Sequence, residues 1–290
     1  MRILLIGASG QLGADIVRNN TCHDIVAPNR AQLDLENAGQ IEAWIKQSKA
    51  DFVINCAAFH NVPLCEDQPE RAFRVNCIAV GHLARACAQL DARLVTFSTD
   101  YVFDGEQRTP YLENDLPGPV QVYGITRVAG EYAAMAAAPE HAIVIRTCGL
   151  YGRAGSVSKG GNFVDKRVAE AASIKLLEMA CEQTIGPTST DDLSRAVLAL
   201  IDRPDASAGI YHLVNEGACS WYEFAKAIYE ILGLHVEVRP VDRHGRSGTM
   251  RRPLYSVLAN TKARALGITL PPWRDALRRY LETQYPARRD

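Results

Sequence analysis

The sequence lacks long apolar runs, a charge excess of either sign and any Cys-x-x-Cys pair. A helix needs about 18 uninterrupted apolar residues to cross a bilayer, and no stretch approaches that length. Lys and Arg total 32 against 33 Asp and Glu, a net charge of −1, so the chain has no bulk positive field for nucleic acid or an anionic membrane. We therefore expect neither a nucleic acid nor a membrane among the partners.

Eight cysteines and seven histidines are present, but their spacing matches no metal site or disulfide framework. Several cysteines, such as Cys56, lie in apolar runs, where a thiol behaves as a small hydrophobic group. The apolar stretch that begins at Ile3 is too short for the core of a signal peptide and predicts a buried first strand instead. We expect reduced cysteines, no metal and a cytoplasmic location.

Apolar runs alternate with segments of helical periodicity in the first half of the chain. This alternation predicts an α/β fold, a doubly wound Rossmann-type parallel sheet, with residues 1–150 as an NAD(P)-binding domain. Residues 151–290 are predicted to form mainly a smaller C-terminal α/β substrate lobe, with the chain re-entering the first domain. The predicted strands are 2–6, 24–27, 52–56, 93–97 and 142–146, and the helices between them are 11–19, 38–47, 69–89 and 126–137.

A glycine-rich turn joins the first predicted strand to the first predicted helix. Its glycines have the spacing for a tight turn, for close backbone approach to a pyrophosphate and for packing of the helix on the strand. Glycines also mark ordinary turns, but the position between a strand and a helix favours dinucleotide binding. The candidate cofactor-binding residues in this turn are Gly7, Ser9, Gly10, Gln11, Leu12 and Gly13.

Further candidate cofactor residues follow the second and third predicted strands. An acid is expected after the second strand when the ribose 2′-hydroxyl is free, but the chain has Arg30 there. Arg30 would bind a 2′-phosphate, which favours NADPH while NADH stays open; the alternative is a solvated surface arginine. Asp34 and Leu35 are expected to line the adenine pocket, and Ala57 and Ala58 to pass the cofactor with small side chains.

A threonine and a tyrosine form the candidate catalytic pair. Thr99 follows the fourth predicted strand, and Tyr123 stands four residues before Arg127, so that a helix would place both side chains on one face. The positive charge is expected to lower the pKa of the phenol toward the working pH. Tyr123 would give its proton to a carbonyl oxygen while a nicotinamide delivers hydride, and Thr99 would hydrogen-bond the same oxygen. By itself, Tyr123 would be interpreted as a partly buried helix tyrosine.

These motifs resemble those of the extended short-chain dehydrogenase/reductases, and most closely the dTDP-4-dehydrorhamnose reductase family. The resemblance covers nearly the whole chain, and its most specific segment is Ser-Thr-Asp-Tyr-Val-Phe-Asp-Gly at residues 98–105. It implies NAD(P)H-dependent reduction of the 4-keto group of a dTDP-linked deoxysugar, dTDP-4-dehydro-L-rhamnose, in the last step of dTDP-L-rhamnose synthesis. It also implies that the second lobe binds a sugar nucleotide and that Thr99 and Tyr123 are catalytic. The resemblance further leads us to expect a homodimer.

Two departures distinguish this chain from the family pattern. Arg127 stands where the family has a lysine that also binds the nicotinamide ribose, and the planar arginine head is not an equivalent replacement. Residues 146–149 read Arg-Thr-Cys-Gly where many members have Arg-Thr-Ser-Trp. The first departure predicts a reduced or lost activity, and the second predicts a more open sugar pocket.

A basic segment in the second lobe is the predicted diphosphate site. Arg251 and Arg252, with Arg243 and Arg246 upstream, would bind phosphate oxygens in pairs; the alternative is a solvated loop. His60 would contact the substrate from the nicotinamide side, although a satisfied polar residue is the plainer interpretation. The full set of candidate substrate-binding residues is His60, Asp100, Tyr101, Asn162 and Arg252.

Three functions stay open at this point. The first is the reductase, with Tyr123 as proton donor. The second is a non-catalytic, NADP-binding regulatory subunit of the same fold, an alternative that Arg127 favours. The third is an epimerase or dehydratase acting on another nucleotide sugar, and Asp100 does not discriminate because it also belongs to the reductase motif.

Overall fold

The computed structural model describes residues 1–155, 160–247 and 250–286. The strands are β1 (Arg2–Ile6), β2 (Asp24–Val26), β3 (Phe52–Asn55), β4 (Arg93–Thr99), β5 (Ala142–Thr147), β6 (Leu150–Tyr151), β7 (Leu176–Ala180), β8 (Thr184–Ile185), β9 (Thr188–Ser189), β10 (Gly209–His212), β11 (Cys219–Ser220), β12 (Glu237–Val241), β13 (Arg246–Ser247) and β14 (Met250–Arg251). The α-helices are α1 (Gln11–Asn19), α2 (Ala38–Ser48), α3 (Val62–Asp67), α4 (Pro69–Phe73), α5 (Ala79–Gln89), α6 (Val122–Ala137), α7 (Phe163–Glu170), α8 (Thr190–Ile201), α9 (Trp221–Leu232), α10 (Thr261–Ala265) and α11 (Trp273–Gln284).

The central sheet has six parallel strands in the order β10-β5-β4-β3-β1-β2. The chain runs outward from β1 to β2, then crosses back to place β3 on the other side of β1. In a doubly wound sheet this reversal opens a crevice beyond the carboxyl ends of the two strands, where ligands bind. The predicted Rossmann-type fold is confirmed.

Alternate residues of the central strands enter two separate apolar cores. Ile3 and Leu5 of β1 pack on the face covered by α1 and α8, whereas Leu4 and Ile6 pack on the face covered by α2 and α5. Since successive side chains of a strand point to opposite faces, a strand between two helical layers must be apolar at nearly every position. This explains the unbroken apolar runs of the sequence.

The predicted helix 69–89 differs from the structure. It is divided into α4 and α5 by a π-helical turn over Arg74–Ile78, which inserts an extra residue into the helical repeat. The apolar periodicity is nearly continuous across the turn, so it gave no sign of the interruption. The predicted helix 126–137 begins earlier, at Val122, because the Gln121 side chain accepts a hydrogen bond from the N–H of Gly124 and caps the helix.

A smaller lobe is built mostly from the second half of the chain. In it β7 pairs with β12 and β8 with β11, and α7, α9 and α11 enclose an apolar core that includes Tyr151, Phe224 and Trp273. Within the same half, β10 joins the central sheet and α8 packs in the core beside α1. The chain therefore passes between the two units, and the division at residue 150 stays a prediction. Among the described helices, none has both the length and the hydropathy to cross a membrane.

A buried ion pair holds α6 against the ends of β4 and β5. Nε and Nη2 of Arg146 donate to the two carboxylate oxygens of Glu131 at 2.9 and 2.6 Å, and neither side chain is more than 4% exposed. The Ser98 hydroxyl donates to the same carboxylate, and the guanidinium lies 5.0 Å from the centre of the Phe103 ring. The geometry is bidentate, so it fixes the rotation of α6 as well as its distance from the sheet.

We expect Glu131→Gln to lower the free energy of unfolding by about 3 kcal/mol, because it leaves the Arg146 guanidinium buried without a counter-charge. Urea unfolding followed by circular dichroism measures the change. Glu140→Gln, which alters an exposed carboxylate, is the control and should cost less than about 0.5 kcal/mol. Equal losses in the two variants would contradict the role given to the pair.

Candidate active site

The candidate site lies at the carboxyl edge of the central sheet. Because all six strands are parallel, the ends of β1, β3, β4 and β5 meet at this one edge. Thr99 and Thr147, the last residues of β4 and β5, are direct neighbours in register. The glycine turn after β1, Ala57 after β3 and the candidate threonine after β4 are thus brought together, as the sequence predicts.

The glycine turn has the shape of a phosphate-binding turn. Gly7 has φ +84°, and a Cβ there would lie 2.9 Å from the backbone nitrogen of Ala57; a Cβ on Gly13 would overlap the Gly7 carbonyl oxygen. Gly10 is the N-cap of α1 without a side-chain hydrogen bond, and Ser9 and Gly10 are both exposed. The first-turn N–H groups of α1 are therefore open to a ligand, and an anion is favoured there.

Two buried polar atoms near this edge have no hydrogen-bond partner among the described residues. They are Oε1 of Gln11, in the first turn of α1, and Oγ1 of Thr147, at the end of β5. A buried polar atom without a partner costs free energy that a polar ligand group recovers. The open helix terminus and these two atoms fit a phosphate-bearing, polar cofactor.

Of the remaining candidate cofactor residues, Arg30 and Asp34 are exposed at the surface, whereas Leu35 is buried in a core. Arg30 is exposed beyond the carboxyl end of β2, and Ala58 lies beside Ala57, where its carbonyl oxygen accepts from Nδ1 of His60 at 3.2 Å. Asp34 is exposed and caps its own turn by accepting from the N–H of Glu36 at 3.0 Å. Leu35 is buried in the apolar core with the side chains of α2, so the structure gives it a packing role in addition to the predicted adenine contact.

Helix α6 carries Tyr123 and Arg127 toward the end of β4. Tyr123 is half-buried, and its ring packs edge to face against Tyr101, with the ring centres 6.2 Å apart. The start of α6 lies so close to the segment after β4 that a Cβ on Gly124 would overlap the Tyr101 carbonyl oxygen. This close approach brings the phenol next to Thr99, as the sequence predicts.

The pKa of Tyr123 is raised, and burial is the largest cause. The charge of Arg127 lowers this pKa, as does a hydrogen bond with the Thr99 side chain, whereas the carboxylate of Asp100 raises it. The expected influence of Arg127 thus has the predicted sign, but the prediction of a net decrease is wrong because desolvation of the phenolate outweighs the charge. The phenol is therefore protonated at neutral pH.

Arg127 is buried, and its guanidinium is held by the π-helical turn. Nη1 of Arg127 lies 3.4 Å from Oδ1 of Asn76, whose Nδ2 donates to the Phe59 carbonyl oxygen at 2.9 Å and to the Thr126 hydroxyl at 3.1 Å. No carboxylate within the described ranges pairs with Arg127. Sequence reasoning missed Asn76, because nothing in the sequence pattern indicated a contact between Asn76 and Arg127.

Asp100 is engaged by hydrogen bonds within the protein, and its predicted contact with the substrate stays a prediction. It is 3% exposed and accepts hydrogen bonds from Thr99 Oγ1 at 2.9 Å, Ser256 Oγ at 2.6 Å and Cys148 Sγ at 3.0 Å. Burial raises the pKa of Asp100, and these three hydrogen bonds oppose the increase. Sequence reasoning missed Ser256, an isolated serine in a loop that carries no motif.

Asn162 is engaged by hydrogen bonds within the smaller lobe. Its Oδ1 accepts from the N–H of Asp165 at 2.9 Å and caps α7, and its Nδ2 donates to the Gly152 carbonyl oxygen at 3.0 Å and lies 2.8 Å from the Tyr280 hydroxyl oxygen. The side chain is buried and its polar atoms are occupied within the chain. Asn162 therefore joins α7 to α11, and its predicted substrate contact stays a prediction.

A basic cavity of about 540 Å³ lies between the segment after β4 and the segment that carries Arg251 and Arg252. Nη1 of Arg252 donates to the Tyr101 hydroxyl at 3.3 Å, and Nε of Arg252 is buried without a partner among the described residues. Because Tyr101 packs against Tyr123, Arg252 connects the cavity to the phenol. Arg108 and His244 were not predicted, and Arg243 does not line the cavity. Its charged and polar lining residues are Asp104, Glu106, Arg108, His244, Arg246, Arg251 and Arg252.

The spacing of the cysteines and histidines in the sequence did not predict one cluster of potential metal ligands at the surface. Cys22, His23 and Asp202 bring three potential ligand atoms within 4.8 Å of one another near the start of β2, at the sheet edge opposite the glycine turn. Nε2 of His23 lies 3.2 Å from the Asp202 carboxylate. This contact is enough to explain why His23 and Asp202 lie close together, without a metal ion.

Comparison with known proteins identifies the family. The model of the RmlD substrate binding domain matches residues 1–285. A dTDP-4-dehydrorhamnose reductase of Mycolicibacterium smegmatis is 39% identical over 95% of this chain and 84% of its own length. The chain belongs to the dTDP-4-dehydrorhamnose reductase family. The family resemblance predicted from the motifs is confirmed.

Two other relatives cover nearly the whole chain. The spore coat polysaccharide biosynthesis protein SpsK of Bacillus subtilis is 34% identical over 99% of both chains. The crystal structure of a Bacillus anthracis dTDP-4-dehydrorhamnose reductase in complex with NADP has a TM-score of 0.91 and 30% identity, over 97% of this chain and 99% of that one. The fold of this chain is therefore that of a reductase solved with NADP.

The structure explains one departure from the family's residue pattern. Gly149 has φ +55°, and a Cβ there would lie 3.1 Å from Cα of Pro187, so a large side chain at this position is disfavoured. Cys148, the preceding residue, is buried and directed at Asp100. The backbone at position 149 is therefore unfavourable for the tryptophan that many family members have there.

Proposed function

We propose that this protein is an NADPH-dependent reductase of the 4-keto group of a dTDP-linked deoxysugar, converting dTDP-4-dehydro-L-rhamnose to dTDP-L-rhamnose. The observation that carries the proposal is the juxtaposition of Tyr123, Thr99 and Arg127 at the sheet edge that holds the glycine turn. Relatives at 33–39% identity bear the names of reductases of dTDP-4-keto sugars. The family and the geometry support the same chemistry.

The cofactor site is assigned to the carboxyl edge of β1 to β3. The N–H groups of Ser9 and of the first turn of α1 hold the pyrophosphate, and the small side chains of Ala57 and Ala58 leave room for the cofactor. The N–H of Gly10 donates to the Gly7 carbonyl oxygen at 3.0 Å and closes the turn. Arg30 binds the 2′-phosphate. When bound, NADPH supplies the hydride.

Tyr123 supplies the proton. Its raised pKa keeps the phenol protonated, so that it donates to the keto oxygen as the carbonyl carbon becomes tetrahedral. The charge of Arg127 limits the cost of leaving a phenolate behind, and proton transfer to that phenolate from solvent restores the phenol. Thr99 hydrogen-bonds the phenol, and the predicted contact of Thr99 with the keto oxygen stays a prediction.

The substrate's diphosphate is assigned to the basic cavity. Arg246, Arg251 and Arg252 present guanidinium groups to it, and arginine pairs with phosphate oxygens in bidentate fashion. Arg252 also donates to Tyr101, which packs on Tyr123, so a sugar extending from the cavity along this path reaches the phenol. A homodimer, a cytoplasmic location and the substrate lobe at 151–290 stay predictions.

We expect purified protein to oxidise NADPH in the presence of dTDP-4-dehydro-L-rhamnose, with Tyr123→Phe at least about 100-fold slower because the proton donor is removed. Loss of NADPH absorbance measures the rate. Tyr132→Phe is the matched control, since Tyr132 lies on the same helix and is 64% exposed. Turnover unchanged in Tyr123→Phe would contradict the role of the phenol, and NADPH binding without turnover by the wild type would favour the regulatory alternative.

Arg127→Lys should raise turnover if the arginine limits the rate, because lysine places a compact charge where the family pattern has one. Arg127→Met should slow turnover and raise the pKa of Tyr123 further, since it removes the charge that lowers this pKa. Reduction requires the protonated phenol, so its loss of rate with rising pH should shift to higher pH in Arg127→Met.

Rate profiles against pH for the two variants and the wild type test both statements. The exposed Arg85 on α5 supplies the control, Arg85→Met, which should leave the profile unchanged. An unchanged rate in Arg127→Lys would show that the arginine does not limit turnover.

Arg30→Ala should weaken NADPH binding by about tenfold and leave NADH binding nearly unchanged, because only NADPH carries the 2′-phosphate that the guanidinium binds. Titration of nicotinamide fluorescence measures both dissociation constants. The exposed Arg278 on α11 supplies the control, Arg278→Ala. Equal weakening for both cofactors would remove Arg30 from the phosphate site.

A further inference from the structure

Asp100 links three separate parts of the chain beneath the candidate catalytic pair. Its Oδ1 accepts from the hydroxyl of Thr99, at the end of β4. Its Oδ2 accepts from Cys148, after β5, and from Ser256, in the loop between β14 and α10. With both carboxylate oxygens engaged inside the protein, the chemistry of Asp100 is directed at Thr99 and away from the substrate.

The hydrogen bonds leave the Thr99 hydroxyl little freedom. A hydroxyl has one proton and two lone pairs. The proton of Thr99 is donated to Asp100, and one lone pair accepts from the backbone N–H of Tyr101 at 3.2 Å. The interaction of the Thr99 side chain with Tyr123 lowers the pKa of the phenol, so the position of the Thr99 hydroxyl affects the phenolate that proton transfer leaves behind. Asp100 and the N–H of Tyr101 therefore hold the Thr99 hydroxyl in one place beside the phenol.

The anchoring of Asp100 also reaches the basic cavity. Ser256 follows Arg252 by four residues, and the N–H of the intervening Tyr255 donates to the Gly105 carbonyl oxygen at 3.2 Å. The segment that carries Arg252 is thus attached to the end of β4 by a backbone and a side-chain hydrogen bond. No cation in the described part of the chain pairs with Asp100, so neutral hydrogen-bond donors compensate for the burial of its carboxylate.

We propose that Asp100 is a positioning residue: anchored by Ser256 and Cys148, it fixes the Thr99 hydroxyl and through it the phenol of Tyr123. This inference rests on the proposed function, since the orientation of the phenol matters to the rate only when Tyr123 transfers the proton. A purely structural Asp100 would affect stability without acting through Thr99. The two roles differ in how the effects of substitutions combine.

A double-mutant cycle between Asp100→Asn and Thr99→Val separates them. Asp100→Asn should lower kcat by about 10- to 100-fold while changing KM and the NADPH dissociation constant by less than about twofold, because proton transfer loses its geometry and binding does not. In the Thr99→Val background the same substitution should lower kcat by less than about twofold more, since residues that act as one unit are not additive.

Two further variants guard against misfolding as the cause. Asp192→Asn is the matched control: it neutralises another buried carboxylate, one that accepts from Asn215 and Arg279, and should leave kcat nearly unchanged. Ser256→Ala keeps the Asp100 carboxylate and removes one anchor, so it should lower kcat by about three- to tenfold, again with little effect in the Thr99→Val background.

The outcomes are distinct. An equal loss of kcat from Asp100→Asn with and without Thr99, or a loss confined to KM, would overturn the positioning role while the reductase proposal stands. Absence of turnover by the wild-type protein, with NADPH bound, would overturn the reductase proposal and this inference together. Thermal unfolding of each variant shows that the folded protein is the one assayed.

Discussion

The bidentate ion pair between Arg146 and Glu131 is the constraint on which the candidate active site depends. Glu131 lies two helical turns beyond Tyr123 on α6, and Arg146 projects from β5 next to the end of β4. Fixing Glu131 fixes the rotation of the helix, so the side chains at i, i−4 and i−8 share the face toward the sheet. Tyr123 and Arg127 reach the end of β4 for this reason.

The close packing of α6 extends the same constraint. A Cβ on Gly130 would overlap the carbonyl oxygen of Asn76, just as one on Gly124 would overlap that of Tyr101. The helix is thus pressed against both the π-helical turn and the segment after β4. In this arrangement the site is assembled from a strand end, a helix face and a loop of the second lobe, and Asp100 and Arg252 are the residues that join them.

Much of the fold and part of the site could be predicted from the sequence. The roles of the glycine turn and Thr99 could be predicted because each follows a strand that the apolar pattern reveals. Tyr123 could be predicted because its four-residue spacing from Arg127 is visible in the sequence. The π-helical turn was missed because its apolar periodicity is nearly unbroken. The hydrogen bonds of Asp100 and Asn162 within the protein were not predicted, because their partners Ser256 and Tyr280 are more than a hundred residues away.

The sequence by itself determined the order of strands and helices, the phosphate-binding turn and the family, because these follow from residue types at short, regular spacing. Only the tertiary structure decided which side chains face the cleft and which have their polar atoms hydrogen-bonded within the protein. It also decided the net direction of the Tyr123 pKa, since burial depends on what packs around the phenol and no local pattern records that. Residue type and spacing can be taken from the sequence, whereas the exposure of a side chain and the hydrogen bonds it already makes depend on the folded chain.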